Sequence, residues 1–308
     1  MENRLMDKLE IILKQDLDEI DLDFEKMHER VFFDLKKKPP IPEIVLSFGR
    51  NDRNDLISVA TLGNISMIIG EEKSRKTWLK SLVIGCLFGG NATNHSNFIV
   101  GYLKKGFYVI NIDTEQGKYD AWNAAIRVPK IIGSKHEPYY PSNLINIFLR
   151  EYSKKQRLKY IEWLILKSEL KGKIAVVFID GFVDLVNSFN DEIESSEVVQ
   201  KLMTLSSVAN CHIMGVLHTN PGSDKGRGHL GTILQQKCES VIYIKKEEEI
   251  SVVTAKRMRK EDFKPFNLTI GPDYLPYANH EDEFVSNSFP QSNYNPFSKT
   301  EIIEESPF

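Results

Sequence analysis

The sequence predicts an α/β protein with a mostly parallel twisted sheet, helices on both faces of that sheet and an antiparallel C-terminal edge. From about residue 45, short apolar runs rich in β-branched residues alternate with helical stretches, which is typical of parallel strands buried on both faces. The last three apolar runs are separated by short turns instead, and short turns join antiparallel strands. The length of 308 residues suits one domain of about 200–250 residues with extensions.

Three segments are expected along the chain. Residues 1–44 combine an amphipathic helix, with apolar side chains at three-to-four spacing over 3–30, and a Pro-rich linker around 36–42 that cannot be helical. Residues 45–275 form the core. Residues 276–308 are acidic and rich in Asn, Ser and Pro, and we expect them to be disordered.

Within the core, each element follows from its own pattern of apolar residues. In chain order we expect strand Ile65–Ile69, a helix from Lys76 to about Phe88, strand Phe107–Ile112, a helix near 117–127, strand Ile145–Leu149, a helix near 153–169, strand Ile174–Ile179, a helix near 192–209 and strand His212–Leu217. The edge strands expected after them are Ser240–Ile244, Ile250–Ala255 and Phe266–Ile270.

Composition narrows the function classes. There is no apolar run long enough to cross a membrane and no signal-peptide pattern near Met1, so a cytoplasmic protein is expected. The three cysteines are far apart, which indicates neither a disulfide framework nor a zinc site. The net charge is −3, but residues 1–30 carry −5 and residues 271–308 carry −6, which leaves +8 for residues 31–270. A basic body between acidic ends is compatible with nucleic-acid contact, and also common on ordinary surfaces.

A phosphate-binding loop is predicted where the first core strand gives way to a helix. The segment from Gly70 to Thr77 approaches the pattern GxxxxGK[ST], with Arg75 in place of the second glycine. Its backbone N–H groups would face ATP phosphates, Lys76 would reach the β and γ oxygens, and Thr77 would ligate Mg²⁺. The expected nucleotide-binding residues are Gly70, Glu71, Glu72, Lys73, Ser74, Arg75, Lys76, Thr77 and Trp78.

Two acidic residues at strand ends complete the predicted chemistry. Asp180 follows four apolar residues about 100 positions after the loop, and it would orient Mg²⁺, although a strand-end aspartate is often only a turn residue. Glu115 follows strand Phe107–Ile112, which we expect to lie beside the loop strand, and it is the candidate general base.

With these residues the sequence resembles the RecA-like P-loop ATPases, particularly replication helicases of the RepA and DnaB type, over about residues 60–270. The resemblance implies that His218, at the end of its strand, senses the γ-phosphate. It also implies that the following loop contacts DNA, with Lys225, Arg227 and His229 as the candidate DNA-binding residues, while a solvated surface loop is the plainer alternative. A cation from the strand near 254–260, for which we favour Arg259, would act on the nucleotide of a neighbouring subunit.

The end of the sequence, with acids at 301, 304 and 305 before Pro307-Phe308, resembles the terminal peptide of bacterial single-stranded DNA-binding proteins. That resemblance implies a partner protein that docks the tip, and an acidic solubilising tail is an equal alternative.

The sequence therefore predicts an ATP- and Mg²⁺-dependent ATPase that forms a ring or filament of identical subunits and acts on DNA in replication, recombination or mobile-element transfer. Single-stranded DNA is the expected form of this partner. Two alternatives stay open at this point. One is a nucleotide-gated regulatory or assembly ATPase that does not move on DNA. The other is a small-molecule phosphotransferase, against which Glu115 and the loop at 221–229 argue.

Overall fold

The computed structural model describes residues 28–280 of the chain, apart from Arg30, Phe33 and Pro221. Its contacts divide the chain into two units, Met1–Ile41 and Pro42–Phe308. In the described part of the first unit, residues 28, 29 and 31 are helical and the stretch from 38 to 41 has no regular structure, which agrees with a Pro-rich linker there. Most of the N-terminal helix expected over 3–30, and the tail after 280, lie outside the described residues.

The second unit is built on a nine-stranded sheet, so the expected α/β class is confirmed. Six of its strands are parallel to their neighbours, in the spatial order β9, β3, β8, β7, β5 and β6. Their bounds are β3 Ile65–Gly70, β5 Tyr108–Asp113, β6 Leu144–Phe148, β7 Ile174–Asp180, β8 His212–His218 and β9 Ser240–Glu247. The central strands β3 and β7 are buried along their whole length, as near-continuous apolar runs require.

The antiparallel C-terminal edge is also confirmed. Strand β10 (Ile250–Met258) pairs antiparallel with β9, and β11 (Phe266–Ile270) pairs antiparallel with β10. A further strand, β12 (Pro276–Asn279), pairs with β11 and was not predicted, so regular structure extends past residue 275 into the segment that was expected to be disordered. Its four residues are too short to give a periodic signal, and they are held by pairing with β11.

A separate three-stranded sheet, which the sequence analysis missed, packs over the first helix. It consists of β1 (Ile44–Arg50), β2 (Leu56–Thr61) and β4 (Ile99–Gly101), in the order β2, β1, β4. Strands β1 and β2 form an antiparallel hairpin across a turn rich in Asn and Asp at 51–55. Two apolar runs flanking such a turn are a hairpin signal, and it was available in the sequence.

Helices cover both faces of the large sheet. They are α1 (Lys76–Phe88), α2 (Lys118–Ala125), α3 (Arg127–Ile132), α4 (Lys154–Leu166), α5 (Glu192–Ala209) and α6 (Gly228–Lys237). One hydrophobic core joins α1 and α3 to the three-stranded sheet, and a second core on the opposite face joins α4, α5 and α6. Local signals set several helix starts: Ser153 and Gln156 form a capping box for α4, and the Asp191 side chain caps α5.

Helix α6 was not predicted, and its first two residues, Gly228 and His229, lie in the segment that was expected to be a loop. None of the described helices is both long and apolar enough to cross a membrane.

Candidate functional site

The carboxyl ends of the parallel strands bring the chemically active residues to one edge of the sheet. Gly70 of β3 is in register with His218 of β8, and Asp180 of β7 is in register with both Val216 and Asp113. Ligands of open α/β sheets bind outside this edge. One expectation is wrong in detail: β5 does not lie beside β3, because β8 and β7 stand between them.

The segment between β3 and α1 begins after Gly70, where the backbone packs closely against β9. A Cβ atom at Gly70 would lie 2.3 Å from the backbone oxygen of Ile244 and 2.7 Å from Ser74 Oγ, so the close approach of the backbone requires glycine. Arg75 immediately precedes α1 with φ 74° and ψ 26°, in the left-handed region that glycine adopts more easily. The Arg75 side chain donates to the backbone oxygen of Glu249 at 2.6 Å. Arg75 thus ties this loop to the turn between β9 and β10.

Lys76 is buried at the centre of the loop. Its Nζ atom donates to the backbone oxygens of Gly70 at 2.9 Å and Glu71 at 2.5 Å, and lies 3.2 Å from His218 Nδ1. Burial lowers the pKa of Lys76 to about 8, although several nearby carboxylates, first among them Asp180, act in the opposite direction. The ammonium is held by the loop's own carbonyls, in the region that an anionic ligand would share.

Thr77 and Asp180 meet below the loop. The Thr77 hydroxyl donates to Asp180 Oδ2 at 3.1 Å, and Lys80 Nζ lies 2.8 Å from the same carboxylate oxygen. Both charged side chains of this ion pair are almost fully buried. The sequence analysis missed Lys80, although its place one helical turn after Lys76 puts both lysines on the same face of α1.

Glu115 projects from the end of β5 towards His218. Its Oε2 atom lies 3.8 Å from His218 Nε2, and contact with His218 is the main cause that lowers the pKa of Glu115. The side chain remains half exposed. Neighbouring Asp113 is buried, which raises its pKa, and it accepts the backbone N–H groups of Glu115 and Gln116 at 3.1 and 2.8 Å. Asp113 therefore fixes the turn that carries Glu115.

The turn after Asp180 is held by a second carboxylate, Asp184. Thr114 donates to Asp184 Oδ2 at 3.0 Å and accepts the Gly181 N–H at 2.8 Å, which ties the ends of β5 and β7 together. Asp184 also lies 3.6 Å from Arg157. These contacts agree with the expectation that Asp184 is structural.

A pocket of about 420 Å³ joins these parts. Its lining residues are Lys73, Ser74, Arg75, Lys76, Thr77, Trp78, Glu115, Gln116, Arg127, Asp180, Val216 and His218. Trp78 was predicted to line the site, but its neighbour Arg127 was not. The Arg127 guanidinium lies 3.7 Å from the centre of the Trp78 ring, and the Nη1 atom of Arg127 is buried without a hydrogen-bond partner. Burial lowers the pKa of Arg127 to about 10. Trp78 and Arg127 together form a flat surface with hydrogen-bond donors at its edge, beside the loop from Gly70 to Thr77.

The predicted DNA-contacting loop is shorter than expected. Thr219 pairs with Gly226 and Asn220 N–H donates to Lys225 O, so the segment folds back on itself before α6 begins at Gly228. Lys225 and His229 are exposed, whereas Arg227 packs over the Phe189 ring at 4.6 Å. Two of the three predicted DNA-binding side chains thus face solvent, and the third is partly engaged within the chain.

Arg259 is remote from the pocket within this chain. Because β10 runs antiparallel to β9, its end at Met258 pairs with Ser240, at the start of β9 and opposite the loop edge. Arg259 donates to Asn64 Oδ1 at 2.9 Å and to Lys237 O at 3.4 Å. Arg259 is exposed, so a contact with a nucleotide would have to be made to a neighbouring molecule.

The oxygen atoms of the pocket fit a metal ion that is bound partly by the protein and partly by a ligand. In the described part of the chain, no group of three or more His, Cys, Asp or Glu side chains could hold a metal by itself. Thr77 Oγ1 and Asp180 supply two adjacent oxygens, and Mg²⁺ commonly uses one or two such protein oxygens together with phosphates and water. No protein-family model matches the chain, and no curated protein matches it either.

Proposed function

We propose that this chain is a RecA-like ATPase that binds ATP with Mg²⁺ in the pocket at the carboxyl edge of the sheet and acts on DNA. The observation that carries the proposal is the meeting of four separately predicted residues, Lys76, Asp180, Glu115 and His218, around one pocket. Their sequence separations are large, so this convergence does not follow from any local pattern.

In this proposal the phosphates lie along the loop from Gly70 to Thr77. The N-terminus of α1 and the loop N–H groups face them, and Lys76 exchanges its bonds to the Gly70 and Glu71 carbonyls for the phosphate oxygens. Thr77 and Asp180 would hold Mg²⁺, which neutralises developing phosphate charge when bound. The base would stack beside Trp78 and Arg127, and the unpartnered Nη1 atom of Arg127 would donate a hydrogen bond to it.

Hydrolysis then needs a base near the γ-phosphate. Glu115 takes a proton from the attacking water, the new P–O bond forms, and the bond to the β-phosphate oxygen breaks to release ADP. Contact with His218 lowers the pKa of Glu115, which favours its ionised form. His218 contacts both Lys76 and Glu115, so a change at the phosphate would reach the loop that follows β8.

Action on DNA rests on that loop, with Lys225 and His229 as the exposed contacts. Assembly into a ring or filament, with Arg259 contacting a neighbour's nucleotide, is part of the same proposal. A partner protein that docks Pro307-Phe308 remains a prediction, since those residues lie outside the described chain. The competing function is a nucleotide-gated regulatory ATPase without DNA translocation, which the compact, partly engaged loop at 219–227 favours.

One experiment separates these functions. ATP binding and hydrolysis are measured for the unmodified chain, Lys76→Ala and Glu115→Gln, each with and without single-stranded DNA. Lys76→Ala should abolish tight ATP binding, whereas Glu115→Gln should bind ATP and hydrolyse it at least about a hundredfold more slowly. Equal loss of binding in both variants, or full turnover by Glu115→Gln, contradicts the assigned roles.

Stimulation by DNA that disappears in Lys225→Ala would support action on DNA. Hydrolysis that ignores DNA would instead favour the regulatory alternative.

A further inference from the structure

A second pocket opens beside the three-stranded sheet, and the proposed function does not use it. Its volume is about 680 Å³, which is within the range of small-molecule sites and larger than that of the nucleotide pocket. Strands β1, β2 and β4 and the residues next to β4 supply most of its lining, and Lys264 and His280 complete it. None of the described residues lines both pockets.

The apolar part of this second pocket is aromatic and tightly packed. The Phe48 and Phe98 side chains line it, and each packs edge-on against the buried Phe266 ring, with ring centroids 5.7 and 5.0 Å apart. The His280 ring lies 4.1 Å from the Phe98 ring. Val100 adds an aliphatic side chain that is still 40% exposed. An apolar ligand body would cover this surface and remove it from water.

The rim of the second pocket is basic. Arg50 and Lys264 line it and are both exposed, and none of the described lining residues is acidic. The Arg50 Nη1 atom donates to the backbone oxygen of Asn54 at 2.6 Å, which is an uncharged partner, while the Asp55 carboxylate lies 3.6 Å from Arg53. The rim therefore offers positive charge to an anion.

The two segments that carry these cations are joined to each other. Asn51, next to Arg50, donates to Glu261 Oε2 at 2.8 Å, which ties the turn after β1 to the segment that carries Lys264. The Glu261 carboxylate is engaged in this bond and does not line the pocket. The pocket thus has its two cations on connected parts of the chain, as a preformed site requires.

A pair of hydroxyl groups in the lining supplies a neutral donor. Ser47 Oγ and Tyr102 OH lie 3.2 Å apart, and both residues line the second pocket. One hydrogen bond between them uses one of the two hydroxyl protons, so the other proton is available to an acceptor. A carboxylate oxygen is an acceptor of this kind.

We propose that the second pocket is a binding site for a small organic anion, namely a carboxylate with an aromatic body. The aromatic body would pack on the two phenylalanines, because aromatic rings gain from edge-to-face contact beyond the area that they bury. The carboxylate would accept hydrogen bonds from Arg50, Lys264 and the available hydroxyl. Binding is reversible and involves no covalent step. The proposal goes beyond the nucleotide site and does not rest on it.

The test is calorimetric titration of the full chain with cinnamate, and with cinnamyl alcohol as its uncharged analogue. We expect cinnamate to bind with a Kd below about 1 mM, and the alcohol to bind at least about fivefold more weakly, because it cannot pair with the cations. A saturating non-hydrolysable ATP analogue should change the affinity for cinnamate by less than about twofold, since separate sites act independently. Absence of cinnamate binding, equal affinity for the two compounds, or displacement of cinnamate by the ATP analogue would overturn the inference. Binding of the ATP analogue is recorded in the same titrations, so a failure of the nucleotide site is seen separately.

Substitutions on the rim locate the site. Arg50→Gln and Lys264→Gln should each weaken cinnamate binding about two- to fivefold, the range of an exposed ion pair, and Arg50→Lys, which keeps the charge, should weaken it less. Arg53→Gln is the matched control, because the Arg53 side chain is 82% exposed and does not line the pocket, and it should leave the affinity unchanged.

If Arg50→Gln does not fold, Lys264→Gln and the comparison of the two compounds on the unmodified chain decide the question. Unchanged affinity in both Arg50→Gln and Lys264→Gln, or an equal loss in Arg53→Gln, would overturn the inference.

Discussion

Substitution of Arg75 by glycine and by alanine isolates the backbone cost of the unusual loop residue. Arg75 has φ 74°, where a residue with a Cβ atom pays roughly 1–2 kcal/mol. Glycine relieves that strain but gains freedom in the unfolded chain, which offsets about 0.5–1 kcal/mol of the benefit. Both variants lose the hydrogen bond from Arg75 to Glu249 O, an exposed contact worth about 0.5–1.5 kcal/mol.

The two variants should therefore differ in a defined order. Arg75→Gly should unfold with a free energy close to that of the unmodified chain, and Arg75→Ala should be about 1 kcal/mol less stable, since it loses the bond and keeps the strain. In thermal unfolding this is a difference of about 2–4 °C for a domain of this size. Urea unfolding monitored by circular dichroism measures it directly. Equal stability of the alanine and glycine variants would refute the strain argument.

The same pair of variants reports on ligand binding. If strain limits the loop, Arg75→Gly should bind ATP up to about tenfold more tightly than the unmodified chain, equivalent to roughly 1.4 kcal/mol. Weaker binding by both variants would show that the Arg75 side chain itself contacts phosphate. Arg75→Lys, which keeps a cation and the Cβ atom, then distinguishes loss of charge from loss of the contact with Glu249.

Two further predictions concern the sheet that supports the site. Gly215→Ala would place a Cβ atom 2.1 Å from the Phe182 ring. We expect the free energy of urea unfolding to fall by about 1–3 kcal/mol, and the additional change Phe182→Leu to restore part of it. An unchanged free energy of unfolding in Gly215→Ala would contradict this packing. Burial lowers the pKa of His212 to about 4, so the unfolded chain binds a proton that the folded chain refuses, and stability should fall as the pH drops from about 6.5 towards 4. His212→Gln should reduce this dependence of the unfolding free energy on pH. Glu239, whose pKa is raised by burial, acts in the opposite direction. An unchanged pH dependence in His212→Gln would refute the assignment of the effect to His212.

The sequence was most informative where a periodic pattern coincided with a turn signal. The predicted bounds of the helix over 192–209 agree with those of α5, because Asp191 caps its start and Asn210 ends it in the left-handed conformation. The antiparallel edge was predictable from its short connecting turns. Strand β4, with three residues, has no pattern of its own and is held by pairing with β1, whereas the hairpin signal for β1 and β2 was present in the sequence and was missed.

The candidate site was predictable in its residues but not in their partners. Lys76, Glu115, Asp180 and His218 each stand at a strand end or helix start, which a one-dimensional pattern marks. Pairings across the pocket depend on the order of strands in the sheet, and that order was only partly anticipated. The contact between Trp78 and Arg127 joins α1 to α3, so no local pattern could reveal it.

The parallel register of the strands places the charged side chains of the pocket on two opposing sides. Lys76 is the first residue of α1, and across the pocket Asp180 ends β7 and Glu115 follows the end of β5. His218 lies between them, 3.2 Å from Lys76 and 3.8 Å from Glu115. A trianionic or tetraanionic phosphate chain would be attracted to the first side and repelled by the second unless a cation lies between them. In the proposed function, Mg²⁺ held by Thr77 and Asp180 would be that cation, and Glu115 would act on the attacking water.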